Sequence, residues 1–199
     1  MRLWVGFAVG LVLLSGQPQV QPRLAKAEGD RFQSKLTRIV SLGAKPRPPK
    51  AAAQSTVVSD VELNSYLRYH AQEQIPVVIV EPTLNAHGNG MVSGRAIVDL
   101  DAVRKQRQRG WLDPMGYLTG RLPLIVRGRL TTEKGIGSFE LEAAEISGVT
   151  VPKTLVQELL TFYSKTPEDP DGINMDDPFE LPAQIREIRV APGTATIVQ

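Results

Sequence analysis

Lys134-Gly135 stands between two stretches that alternate apolar and polar residues, and a two-residue turn between such stretches leaves an antiparallel pair one register. That register sets Val126 opposite Ala143, Gly128 opposite Leu141 and Leu130 opposite Phe139, all on one face. The other face then pairs Arg127 with Glu142 and Arg129 with Glu140. Four charges that resemble a site are thereby read as two cross-strand ion pairs on a solvated surface. A hairpin of this length, apolar on one side only, must pack that side against something else.

A second hairpin precedes it. Val77 to Val80 is a β-branched run, the strand continues through Leu84 and Ala86, and Met91 to Leu100 alternates again after Gly88-Asn89-Gly90. With those three residues as the loop, Val78 faces Leu100, Val80 faces Val98, Pro82 faces Ala96 and Ala86 faces Val92. Glu81, Thr83, Asn85, Ser93 and Arg95 occupy the outer face.

Helices frame the hairpins. Ser59 and Glu62 form a capping box, with Val58 and Leu63 placed for a hydrophobic staple, and Leu63, Tyr66, Leu67 and His70 share a face. Asp101 is placed to cap a helix running to Arg109, and Asp113-Pro114 starts a shorter one. Pro152 opens a helix whose apolar residues, Leu155, Val156, Leu159, Leu160, Phe162 and Tyr163, cover a wide arc; it is expected to be the best-buried helix. Extended pieces follow at Phe179 to Leu181, Ile185 to Val190 and Thr194 to Val198, with Pro192-Gly193 as a turn. The fold class is α+β: a curved, largely antiparallel sheet of two hairpins plus C-terminal strands, packed on helices 59–71 and 152–164.

The N-terminal quarter reads differently. Arg2 precedes an apolar run from Trp4 to Leu14, and Ala25-Lys26-Ala27 offers a small-x-small cleavage site, so residues 1–27 read as a secretory leader cut after Ala27. The run is eleven residues long, short of the roughly twenty that span a bilayer. Residues 28–56 read as a basic, proline-rich stalk with a short amphipathic helix over 30–42, and residues 57–199 as one domain. The chain lacks cysteine, which removes disulfides, thiol chemistry and a lipid anchor on cysteine.

Charge excludes one class of partner. The whole chain carries +2, but the leader takes Arg2, Arg23 and Lys26 with it and leaves −1. Residues 28–50 hold +4 and the remainder −5, so no concentrated basic domain for nucleic acid is present. An exported protein of the periplasm or cell envelope is the expectation.

Chemistry is sparse. His70 lies near a helix end and His87 beside a turn, and no nucleophile elbow, P-loop or dinucleotide fingerprint accompanies them. Gly135-Ile136-Gly137-Ser138 belongs to the hairpin turn. The acidic loop 168–177 has oxygen ligands in number, but aligning Gly172 with the glycine of an EF-hand puts Pro167 and Pro178 on ligand positions. An irregular calcium site there, and a hydrolase built on His70 or that loop, stand as the minor alternatives. Asp99 is read as an outer-face strand residue. Arg104, Lys105, Arg107 and Arg109 favour their helix end, and they are also the residues placed to meet anionic lipid head groups. No cofactor is expected.

Apolar surface is plentiful instead. A curved sheet wrapped on a helix encloses either a packed core or a groove for an acyl chain, and Gly128 leaves room in such a wall or permits a close helix crossing. A leader, a first helix, meandering hairpins, Val151-Pro152 at a helix start and Leu181-Pro182 before Ile185-Arg186-Glu187-Ile188-Arg189-Val190 together make residues 57–198 resemble bacterial envelope proteins of the tubular lipid-binding superfamily. The stalk and the helices over 101–118 depart from that arrangement. The resemblance implies a long helix cradled by a curved sheet, lipid in the groove and no catalytic residues; it carries no ligand motif. On this expectation Val126, Gly128, Leu130, Phe139, Leu141, Leu155 and Leu159 line the groove, and the protein is a non-enzymatic lipid binder. The alternative is an envelope scaffold that contacts a partner protein or an anionic membrane through its basic stalk.

Overall fold

A computed structural model describes residues 23–45, 52–102, 120–167 and 170–199. Both expected turns form, and each uses two residues at positive φ, the geometry that matches the twist of antiparallel strands. Lys134 and Gly135 have φ of 52° and 87°; Asn89 and Gly90 have 51° and 77°. The first loop is thus Asn89-Gly90 alone, because Gly88 already pairs with Met91.

The hairpins are β2 (Ile79–Gly88) with β3 (Met91–Asp99), and β4 (Arg121–Glu133) with β5 (Ile136–Ile146). The β3–β4 pairing fuses them into one antiparallel sheet, to which β6 (Val149–Thr150) and β7 (Phe179–Glu180) add at β5. Register departs from expectation at two bulges. Between Val80 and Thr83 the count slips, so Val80 faces Ile97 and Ile79 faces Val98, whereas Ala86 faces Val92 as expected. Glu81, at φ 50°, and Pro82, which has no N–H to give the ladder, cause the slip. In the second hairpin Gly128–Leu141, Leu130–Phe139 and Arg129–Glu140 pair as expected, but an extra residue in β5 puts Arg127 opposite Ala143 and Val126 opposite Ala144. The ion pairs consequently run along diagonals, Arg129 to Glu142 at 3.2 Å and Arg127 to Glu145 at 4.0 Å.

The last two strands do not extend this sheet. β8 (Glu187–Ala191) and β9 (Thr194–Val198) join β1 (Ser55–Ser59), which read as linker and helix cap, in a separate sheet of order β1-β9-β8. The C-terminal segments that lead into and turn within this sheet hold both hairpin ends. Gly135 N–H donates to Arg186 O, Leu181 N–H to Gly135 O, and Gly193 N–H to Ala86 O.

The main sheet buries Val78, Val98 and Leu100 in one cluster and Ala144, Ile146 and Val151 in another. Helix α3 (Lys153–Ser164) covers both through Leu155, yet none of its described residues is fully buried. The deepest helical residues lie in the N-terminal pair, α1 (Lys26–Gly43) and α2 (Asp60–Tyr69). α1 occupies most of the expected stalk, starts before the expected cut, and is fastened to α2. Phe32 stacks on Tyr66 with ring centres 4.9 Å apart, and Lys35 Nζ lies 2.6 Å from Glu62 Oε1. Lys35 therefore serves a polar helix interface, where a charge count reads a solvated stalk. Gln199 anchors the far end, donating from Nε2 to Ile39 O and Ala183 O.

Asp99, not Asp101, caps the next helical turn: its Oδ1 accepts from Ala102 N–H at 3.0 Å. That bond and the Arg121 guanidinium hold the Asp99 carboxyl below the usual carboxylate range. The expected helices over 101–109 and from Asp113, with Arg104, Lys105, Arg107 and Arg109, lie outside the described residues, apart from the start at Asp101 and Ala102.

Candidate functional site

The edge of the main sheet at β2 is closed by side chains of α2. Asn64 donates from Nδ2 to Leu84 O and accepts from Leu84 N–H at Oδ1, both at 2.7 Å. Four residues earlier, both Asp60 oxygens accept from Ala86 N–H, at 3.0 and 3.2 Å. Four helical residues rise about 6 Å and two strand residues about 6.8 Å, so Asp60 and Asn64 match the repeat of Ala86 and Leu84. The carboxylate and amide act as the missing neighbour strand.

Beyond Asn64 the match ends. The Glu81-Pro82 bulge turns β2 away, α2 reaches its last turn at Arg68, and a single-turn 3-10 helix (Gln72–Gln74) leads into Ile75-Pro76-Val77. A groove of about 700 Å³ opens between these pieces. Leu24, Leu67, Ile75, Val80 and Ile97 supply much of its apolar wall. Arg68 and Arg95 also line it, both exposed and neither ion-paired with a described residue; Arg68 lies over the Tyr69 ring at 5.8 Å. A volume in this range suits a small apolar ligand. An added peptide strand is disfavoured, since Pro82 has no N–H to offer and the bulge breaks the repeat.

Of the seven residues expected to line a groove under α3, most pack on the two core clusters as partly buried side chains. Leu155 and Leu159 pack on the Val78 cluster, and Val126, Leu141 and Leu155 on the Ala144 cluster. Gly128 offers no vacancy: a Cβ there would fall 2.3 Å from Phe139 Cζ, so the Phe139 ring already covers the glycine. Leu130 pairs with that same Phe139 across the hairpin.

The histidines sit apart from the groove's apolar wall. His70 Nε2 is 2.8 Å from Asp30 Oδ1 across the α1–α2 seam, its ring against Gly29. His87 Nε2 and Ser93 Oγ are 2.7 Å apart on an exposed hairpin surface, with no acidic partner among the described residues to orient the imidazole. Among the described residues no three His, Asp or Glu side chains are grouped to hold a metal. In the acidic loop, Asp176 pairs with Lys153, Met175 N–H donates to Gln157 Oε1, and Gln157 Nε2 donates to Ile173 O. Glu168 and Asp169 lie outside the described residues.

Glu62 is the strongest electrostatic feature and is structural. Its burial works to raise the carboxyl pKa, but the Lys35 ammonium and the Ser59 backbone and hydroxyl outweigh it and hold the group below its ordinary value. Lys35 also donates to Val57 O, joining α1, α2 and β1 at one point.

Sequence reading passed over the groove because its wall residues come from four separate stretches and only the fold assembles them. Pro82 inside a strand pattern was the one local signal of an irregular edge. Comparison of the chain with protein-family profiles, with curated proteins and with solved structures returned no match.

Proposed function

We propose that this chain is a non-enzymatic, exported envelope protein that binds a small apolar ligand, a lipid acyl chain or its like, in the groove between α2 and the β2 edge. The observation that carries the reading is that groove: a partly apolar wall on an irregular strand edge that disfavours an added strand, with Arg68, Arg95 and Glu81 among its lining residues. The leader-like residues 1–27 and the resemblance of arrangement to tubular lipid-binding proteins support the compartment and the ligand class. The resemblance implies a groove under α3, where Leu155 and Leu159 pack on the Val78 cluster; the ligand is assigned here to the groove at the β2 edge instead. No helix among the described residues is long and apolar enough to cross a membrane.

The chemistry assigned to the site is burial alone. Each methylene taken from water into the groove contributes about 0.8 kcal/mol, so micromolar binding asks for burial of about ten methylenes or more. Arg68 and Arg95, neither ion-paired with a described residue, are the groups assigned to meet an anionic head while the chain is buried.

Organic extraction of protein purified from its native envelope, followed by mass spectrometry, tests this. The expected result is one lipid per protein, displaced by the apolar dye N-phenyl-1-naphthylamine. Protein that yields no lipid and does not bind the dye would overturn the reading.

A further inference from the structure

The row of side chains that clamps β2 has one more member than it has strand partners. Asp60 and Asn64 bond to Ala86 and Leu84, and the next residue on that face of α2 is Arg68, one turn further on. The next strand position is Pro82, which has no N–H, and a guanidinium has no acceptor, so the exchange of bonds ends there. Arg68 lines the groove instead, with no ion partner among the described residues.

Two further charges stand in the same groove. Val80 pairs with Ile97 and Thr83 with Arg95, so Glu81 and Pro82 bulge opposite Ala96, next to the Arg95 position. Glu81 and Arg95 both line the groove, both are exposed, and neither is ion-paired with a described residue. Glu81 also has a φ of 50°, in the left-handed region where glycine is at ease and a glutamate is strained. Strain of this kind collects at ligand sites, where the side chain is the reason for keeping it.

Two guanidiniums and one carboxylate suit a head group that carries both signs. We propose that the ligand is a single-chain lipid with a phosphoethanolamine head: its phosphate meets Arg68 and Arg95, its ammonium meets Glu81, and its chain is buried along Leu67, Val80 and Ile97. The inference rests on the groove being the ligand site and adds the head group to it. A purely anionic head is held by the arginines but repelled by Glu81, and a purely cationic head meets the reverse. Only a zwitterion gains from all three. The planar fork of arginine suits phosphate oxygens, and a primary ammonium gives a carboxylate charge-assisted N–H bonds that a quaternary one lacks. One chain is assigned, not two, because about 700 Å³ lies within the range of a single small ligand.

Displacement of N-phenyl-1-naphthylamine by two lipids of the same acyl chain, each below its micelle concentration, tests the head group. Lysophosphatidylethanolamine is expected to displace the dye at a concentration about fivefold lower than lysophosphatidylglycerol, the scale of one exposed charge pair. Glu81→Gln should remove that preference by weakening the ethanolamine lipid alone, whereas Arg68→Gln should weaken both lipids. Affinity for the uncharged dye itself should stay the same in both variants. Glu81→Gly, which relieves the strained φ, is a second variant that should fold and lose the preference in the same way. Equal displacement by the two lipids, tighter binding of the glycerol lipid, a preference that survives both Glu81 variants, or an Arg68→Gln protein with unchanged lipid affinities would each overturn the head-group assignment. In those cases a dye that still binds leaves the groove as the ligand site. If the dye does not bind the unaltered protein, the groove reading and the head group fail together.

Discussion

Helices α2 and α3 both cover the main sheet, and they do it by opposite means. α2 presents polar residues inward: Glu62, Asn64 and Ser65 are its buried positions, and with Asp60 they bond to a strand edge, to α1 and to their own cap. α3 presents Leu155, Val156 and Leu159 to the sheet's apolar face and reaches the acidic loop through Gln157. Directional bonds allow α2 one position, whereas apolar burial varies smoothly with area and tolerates adjustment. The difference teaches where space is left over. Where the α2 clamp ends at Asn64, nothing continues the edge of β2, and the groove begins.

That contrast makes variants on α2 costly in steps and variants on α3 costly by degrees. Asn64→Ala leaves both the N–H and the carbonyl of Leu84 without their partner, and should lower stability by about 3 kcal/mol in denaturant unfolding. Leu155→Ala, which removes a half-buried side chain shared by both core clusters, should cost about 2 kcal/mol. If the order of these two is reversed, α2 is not the more rigidly held helix.

Glu62 gives the contrast a pH signature. Its pKa is depressed in the folded state below the ordinary 4.5, so its contribution is complete above pH 4.5 and is lost as pH falls through the folded value. Glu62→Gln keeps a side chain able to complete the capping box but removes the charge, and should cost about 1 kcal/mol at pH 7. It should also flatten the fall in stability below pH 4.5, measured as the unfolding midpoint against pH. An unchanged acid limb would assign that fall to other carboxylates. Smallest is Arg129→Ala, on the outer face of the second hairpin, where losing the diagonal pair with Glu142 should move stability by no more than about 0.5 kcal/mol.

Sequence pattern revealed most of what depends on neighbours along the chain. Lys134-Gly135, the Ser59–Glu62 capping box, β9 over Thr194–Val198 and the α+β class are all legible because turn chemistry, capping and alternation are local. Less legible was whatever a single extra residue decides: the bulges at Glu81-Pro82 and beside Gly128 shift partners by one and turn straight ion pairs into diagonal ones. Least legible was the use of polar residues as structure. Arg31, Lys35 and Arg38 read as a charged stalk, yet Lys35 is spent on Glu62 and Val57, and Asp60 and Asn64, to which the pattern gave no role, serve as a strand. Gly128 had the opposite history, an inferred space that Phe139 fills.

The groove beside α2 is tested most directly by filling it. Ile97 lines the groove from β3 and is half-buried, so Ile97→Trp adds bulk there without touching the clustered core under α3. Titration with N-phenyl-1-naphthylamine should show affinity lowered at least about tenfold, with an unfolding midpoint close to that of the unaltered protein. Unchanged dye affinity in a folded Ile97→Trp protein would contradict the placement of the ligand at the β2 edge.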